Sequence, residues 1–125
     1  MSSITEEELA KIICDGKTFD CHRSVLSSRS DVFATMLSKS MAEANSREVK
    51  IDDFEAEVIE TMIEFIYNDD ILDKNKITAS LLRAADKYNL TDLIGKVIKT
   101  NNWKQFEENN PTLINNVFSK MFYLQ

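Results

Sequence analysis

Hydrophobic and polar positions alternate in two short segments near the start of the chain, Leu9–Cys14 and Lys17–Cys21. Alternation with a period of two is typical of β-strands, and Asp15-Gly16 between the segments supplies a two-residue turn. The pattern therefore predicts a β-hairpin. Alternation returns in Arg47–Asp52, which predicts a third strand that joins the sheet of the hairpin.

Elsewhere the apolar residues recur at steps of three and four, which is typical of amphipathic helices. Val25 and Leu26 belong to a first short helix, and Ser30 is a candidate N-cap for a second one that carries Val32. Four further stripes predict helices, and they span Val58–Tyr67, Ile77–Tyr88, Leu93–Ile98 and Leu113–Phe122.

Two of these later helices have recognisable start signals. Thr91 is a candidate N-cap of the helix that carries Leu93, and Asn110-Pro111 combines a cap with a first-turn proline for the last helix. Gly95 is expected to weaken the helix that contains it. Strands with helices between them, followed by helices alone, predict an α+β domain in which a small sheet packs against a cluster of helices.

Composition and charge narrow the class of partner. With 125 residues and 43% hydrophobic residues, the chain suits one domain with its own core. The formal net charge of −6 repels a phosphate backbone, so nucleic acid is not an expected partner. The N-terminus is acidic where a signal peptide is basic, and charged residues interrupt every apolar run, so no membrane partner is expected either.

Residues suited to nucleophilic or metal chemistry are sparse. His22 is the one histidine and follows Cys21, and adjacent strand residues point to opposite faces, so the two would not meet. Together with Cys14 they fall short of the four ligands of a zinc site. The two cysteines could face each other across a strand pair, although reduced core residues are the favoured interpretation. The sequence therefore predicts a binding module that is not an enzyme and uses no cofactor.

The segment from Asp15 to Phe33, DGKTFDCHRSVLSSRSDVF, resembles the opening of a BTB (POZ) domain. Supporting blocks follow in family order, at Phe33–Leu37, Val49–Phe54, Phe65–Tyr67 and Leu82–Leu90. Within the family the chain is most similar to the MATH-BTB adaptors of the speckle-type POZ group, which have similar Ala-Ala-Asp-Lys-Tyr and Met-x-Glu segments. The resemblance implies a BTB fold over residues 9–94 and a truncated C-terminal helical extension over residues 97–125.

The chain departs from the speckle-type group in three respects. Nothing in it corresponds to the MATH domain, which binds substrate in that group, and the N-terminal helix that BTB dimers exchange is missing or reduced. An internal segment of the helical extension, between Leu90 and Trp103, looks deleted. The first departure leaves no candidate residues for substrate capture.

The resemblance implies an adaptor that binds the third cullin, the scaffold of a ubiquitin ligase. Met41-Ala42-Glu43 matches the hydrophobic-x-Glu motif through which such adaptors bind. A flexible methionine can fill a shallow apolar pocket while the glutamate adds a charge-assisted hydrogen bond. Tyr67, at the end of the helix that borders the cullin surface in relatives, is a further candidate contact. The structural alternative is that Met41 covers the core and Glu43 is solvated.

The resemblance also implies pairing with a second copy or with BTB relatives. Val25 matches an apolar position at the dimer interface of related domains, and its alternative role is packing within its own helix pair. Arg23 and Glu8 correspond to a basic and acidic pair near the dimer groove.

Two other functions stay open: a transcription-regulatory module that binds co-repressor peptides, and a monomeric adaptor of the Skp and elongin type. The implied location is the nucleus, the cytoplasm or both.

Overall fold

The computed structural model describes residues 8–38, 47–99 and 108–123. It contains three strands, β1 (Leu9–Cys14), β2 (Lys17–His22) and β3 (Glu48–Ile51). The helices are α1 (Arg23–Arg29), α2 (Asp31–Met36), α3 (Ala56–Asn68), α4 (Ala79–Lys87), α5 (Thr91–Ile98) and α6 (Pro111–Tyr123), and a short 3-10 helix (Lys74–Lys76) precedes α4. The predicted α+β class is confirmed. Within these ranges, no helix combines the length and apolar character needed to span a bilayer.

The sheet has β1 at its centre, in the order β2-β1-β3. β1 and β2 pair antiparallel around Asp15 and Gly16, whose φ angles of 52° and 78° match a tight hairpin turn that needs two left-handed residues. β3 pairs with β1 in parallel, with Ile12 opposite Val49. The predicted hairpin and its third strand are therefore confirmed, and the parallel pairing requires the long crossover that α1 and α2 supply.

Both cysteines lie on the core side of the sheet as free, buried thiols. The register places Cys21 opposite Ala10 and Cys14 opposite Lys17, so the cysteines do not face each other across the strand pair. Burial raises the pKa of the Cys21 thiol to about 11, which keeps the thiol protonated near neutral pH. Their positions agree with the prediction of reduced core residues.

Ser30 joins the first helix pair to the end of α4. Its Oγ accepts a hydrogen bond from the backbone N–H of Phe33 at 3.1 Å, which confirms the predicted N-cap of α2. The same hydroxyl donates to the carbonyl oxygen of Tyr88 at 2.5 Å. Beside it, the rings of Phe33 and Tyr88 stack with centroids 4.7 Å apart and planes 4° apart. A short interhelical turn thereby fixes how α2 packs on the end of α4.

The predicted start of α5 is wrong by one residue. Leu90, not Thr91, occupies the N-cap position, and no side chain caps this helix terminus. The cause is packing, because Leu90 is buried and its backbone N–H bonds to the carbonyl of Ala85 at 2.8 Å. Gly95 lies within α5 without interrupting the helix. Similarly, Ile77 lies before α4, so the apolar stripe predicted there extends beyond the helix.

The last helix, α6, folds back onto the domain. It begins at Pro111 as predicted, and Ile114 and Val117 are 2% and 0% exposed within the same buried cluster as Leu93. A hydrogen bond of 3.1 Å from the Arg83 guanidinium to the Asn110 side-chain oxygen also links α4 to the start of α6. The division into a domain at 9–94 and an extension at 97–125 stays a prediction.

Candidate interaction surfaces

Glu8 and Arg23 meet through their backbones where β2 leads into α1. The N–H of Arg23 donates to the carbonyl oxygen of Glu8 at 2.7 Å. The Glu8 carboxylate accepts hydrogen bonds from the Ser24 hydroxyl and, at 2.8 Å, from the Ser24 backbone N–H, and these bonds lower the pKa of Glu8. Across residues 8–38, no ion pair joins the Glu8 and Arg23 side chains. Glu8 therefore acts on the first turn of α1 as a cap.

Val25 lies on the half-exposed side of the first helix pair. It packs against the edge of the core, as do Val32 and Met36 on α2. Leu26 and Phe33, by contrast, are fully buried. The helix pair α1–α2 therefore presents three partly accessible apolar side chains, and Val25 has contacts within the domain as well as exposed surface.

Tyr67 links the last turn of α3 to the β2–α1 junction, and the residue is 41% exposed. Its hydroxyl accepts a hydrogen bond from the backbone N–H of His22 at 2.7 Å and lies 2.9 Å from Nδ1 of the same residue. Burial raises the pKa of the Tyr67 hydroxyl, so it stays neutral at ordinary pH. This contact was not predicted, because His22 was expected only as a candidate catalytic base or metal ligand.

Lys87 gives Asp53 a structural role. Its ammonium group hydrogen bonds to the Asp53 carboxylate and lies over the rings of Phe54 and Tyr88, at 5.9 and 5.5 Å from their centroids. The hydrogen bond lowers the pKa of Asp53 and raises that of Lys87. This cluster ties α4 to the connection between β3 and α3.

Leu72, in the loop after α3, is 84% exposed, and this exposure was not predicted from the sequence. It lies between Asp70 and Asp73, outside any strand or helix. The sequence offered one signal of this exposure: Leu72 lies among acidic turn residues and belongs to none of the apolar stripes.

The remaining candidate residues, Met41 and Glu43, lie outside the described residues. Over the ranges that are described, no three His, Cys, Asp or Glu side chains are grouped so that they could hold a metal ion. The candidate residues that can be located, Glu8, Arg23, Val25 and Tyr67, lie on helix surfaces and element ends. Glu8, Arg23 and Tyr67 come together at the β2–α1 junction, because Tyr67 bonds to His22 beside Arg23.

The described part of the chain is a small sheet packed on helices, with its candidate residues on surface helices and turns. The family model of the BTB/POZ domain matches residues 10–105. The chain belongs to the BTB/POZ domain family, whose members are protein-interaction modules.

Among its relatives is an Arabidopsis thaliana protein described as "ARM repeat protein interacting with ABF2", which is 38% identical over 81 residues. That alignment covers 65% of this chain but 11% of the relative. The BTB domain of human gigaxonin has a similar structure, with a TM-score of 0.60 and 20% identity over 77% of this chain and 79% of that one. The BTB domain of zebrafish PATZ1 is also similar, with a TM-score of 0.59 and 17% sequence identity, and the match covers 70% of each chain. Both structures share the fold, and the closeness to the speckle-type group stays a prediction.

Proposed function

We propose that this chain is the interaction domain of an adaptor that recruits the third cullin to a ubiquitin ligase, and that it is related to the speckle-type POZ group. The observation that carries the proposal is Met41-Ala42-Glu43 within a chain of the BTB family. The accessible ring of Tyr67 at the end of α3 supports it. The segment Ala84–Tyr88, similar to that of the speckle-type adaptors, supports the narrower relationship. Such an adaptor would act in the nucleus, the cytoplasm or both.

The motif suits a partly polar protein interface. An unbranched methionine adapts to a shallow pocket at little steric cost, and a carboxylate desolvated against a cation or an N–H group fixes the register of the two surfaces. Tyr67 adds a rigid aromatic surface, because the hydrogen bonds of its hydroxyl to His22 hold the ring in place. Aromatic side chains of this kind are enriched among the residues that dominate binding energy.

We expect the purified chain to bind the N-terminal region of the third cullin, and Glu43→Lys to weaken binding by about 2 kcal/mol, or roughly 30-fold. The substitution removes an attraction and adds a repulsion at a desolvated contact. Calorimetry with both proteins measures the effect, and Asp52→Lys, at an exposed position after β3, is the control with the same change of charge. Equal affinities for Glu43→Lys and Asp52→Lys would refute the assigned motif.

We propose that the chain also pairs with itself or with BTB relatives through α1 and α2. The apolar surface offered by Val25, Val32 and Met36 is partial, since all three are half-buried within the domain. A small apolar area supports weak association, so a homodimer should dissociate at about 1–100 μM.

Light scattering during size-exclusion chromatography over a dilution series measures this equilibrium. Val25→Arg should shift it to the monomer, whereas Asn115→Arg, at an exposed position on α6, should leave it unchanged. A dimer that persists at low nanomolar concentration, or one that tolerates Val25→Arg, would show that pairing uses another surface.

A further inference from the structure

One edge of the sheet is strand β2, because β1 lies between β2 and β3. In an antiparallel pair, successive residues alternate between bonding to the neighbouring strand and pointing their main-chain groups away from it. The N–H of Arg23, one position beyond β2, donates to the carbonyl of Glu8 and extends the β1–β2 register. The odd-numbered residues of β2 therefore bond to β1. Thr18, Asp20 and His22 point their main-chain N–H and C=O groups to the outside of the sheet.

This outer edge is closed at both ends. The N–H of His22 donates to the Tyr67 hydroxyl at 2.7 Å, and the hairpin turn at Asp15-Gly16 ends the strand on the other side. Between these ends, Thr18 and Asp20 are exposed, and over the described ranges their outward main-chain groups have no hydrogen-bond partner. The N–H and C=O groups of these two residues form the open edge of the sheet. Unpaired groups of this kind are a template for another strand.

The open edge is complementary to itself. When two copies of β2 run antiparallel with Phe19 on the two-fold axis, Thr18 of each copy lies opposite Asp20 of the other. Opposed residues of this kind exchange both N–H···O=C bonds, so every group of the open edge on both copies finds a partner. Phe19, which is half-buried, then lies beside the same ring of the second copy, and aromatic cross-strand pairs stabilise a sheet.

The neighbouring two-fold registers fit less well. An axis at Asp20 places two carboxylates opposite each other, and it requires the His22 N–H, which is already bonded. An axis at Thr18 places Asp20 opposite Gly16, whose φ of 78° belongs to the turn and not to a strand. The charges and the extent of the open edge therefore select a single register.

We propose that β2 is a docking edge for a second copy of this chain, which adds its own β2 antiparallel with Phe19 on the axis. The closed ends limit pairing to two residues of each strand, and β2 itself supplies the two that match. This contact is separate from the proposed pairing through α1 and α2, so a chain with both contacts would assemble beyond a dimer. It buries little area, and we expect a dissociation constant of about 0.1–1 mM, as for small transient interfaces.

The test uses Val25→Arg, which removes pairing through α1, and light scattering over a dilution series from about 10 μM to 1 mM. In this background, Thr18→Lys should strengthen association about fivefold, because it places an ammonium group opposite Asp20 at both symmetric positions. Asn115→Lys, at an exposed position on α6, changes the net charge equally and should have no effect. If Thr18→Lys associates no more strongly than Asn115→Lys, the register is refuted.

Thr18→Pro removes an N–H of the open edge and should weaken association about tenfold or more. The bonds to β1 do not use this N–H, and proline is tolerated on an edge strand whose N–H faces solvent. Thr18→Ala retains the main-chain donor and should associate nearly like its parent. Association that tolerates Thr18→Pro would refute the docking edge.

Amide hydrogen exchange in the Val25→Arg protein provides a test that does not depend on how Thr18→Pro folds. Exchange at Thr18 and Asp20 should slow as the protein concentration rises, whereas His22, whose N–H is already bonded, should exchange at a constant rate. A monomer throughout the concentration range, or unchanged exchange at Thr18 and Asp20, would overturn the inference. Either result would leave the proposed cullin binding and the pairing through α1 and α2 standing.

Discussion

Replacing Phe33 by alanine is expected to lower the free energy of unfolding by about 3–5 kcal/mol. Phe33 is fully buried on α2, and its ring stacks on Tyr88 with the centroids 4.7 Å apart. The substitution removes this aromatic pair and leaves a cavity between α2 and the end of α4, which the hydrogen bond from Ser30 to the Tyr88 carbonyl prevents from closing freely. Urea unfolding followed by circular dichroism measures the loss.

Met36→Ala is the matched control for Phe33→Ala. Met36 is on the same helix but is half-buried, so its removal should cost about 1 kcal/mol. A similar loss of stability for both variants would indicate that the Phe33–Tyr88 stack does not form the centre of this contact. Both variants have to be compared at equal protein concentration, because self-association would add to the apparent stability.

Local patterns in the sequence predicted most of the secondary structure correctly. The hairpin follows from alternation on both sides of Asp15-Gly16, where the turn requires two residues with positive φ. Ser30 was predicted as a cap because a serine directly precedes the apolar stripe of the second helix, and its side chain accepts from the N–H of Phe33, three positions away. In these cases the residues that decide the structure are close in sequence, so the pattern contains the information.

Contacts between distant residues could not be predicted in this way. Tyr67 bonds to His22, 45 positions earlier, and Lys87 bonds to Asp53, 34 positions earlier. The N-cap of α5 is at Leu90 because that side chain is buried against other elements, whereas capping preference alone favoured Thr91. Each outcome depends on how helices and strands are arranged in space, which periodicity does not encode.

The candidate interaction residues divide in the same manner. Glu8, Arg23, Val25 and Tyr67 were identified through the resemblance to BTB domains. The Ser24 hydroxyl that binds Glu8 and the exposure of Leu72 became visible only in three dimensions. Arg29 illustrates a contact between residues that are distant in sequence. Its guanidinium pairs with Asp69 and lies 3.8 Å from the Asp92 carboxylate. The same group lies 5.7 Å from the centroid of the Phe65 ring. It thereby orders the loop on which Leu72 is displayed.

Val117→Asp is expected to lower the free energy of unfolding by about 3–5 kcal/mol, because it replaces a fully buried apolar side chain by a carboxylate. Val117 is on α6, and together with Ile114 it belongs to the domain's buried cluster. If α6 were only loosely attached, the helix would detach and the loss would be small. Asn116→Asp places the same side chain at the adjacent, exposed position and should be close to neutral.

The same pair of variants separates a structural role of α6 from a role in binding. If α6 only covers the core, a substitution in it should change the fraction of protein that is folded. It should not change the affinity of the folded molecules for the cullin. Calorimetry at a temperature where Val117→Asp is still largely folded should therefore give nearly the wild-type dissociation constant, raised only by the inverse of the folded fraction. Equal stability of Val117→Asp and Asn116→Asp would contradict the packing of α6. Wild-type stability combined with a weaker dissociation constant would instead make α6 part of the binding surface, because only a side chain that faces the partner can change affinity without changing the fold.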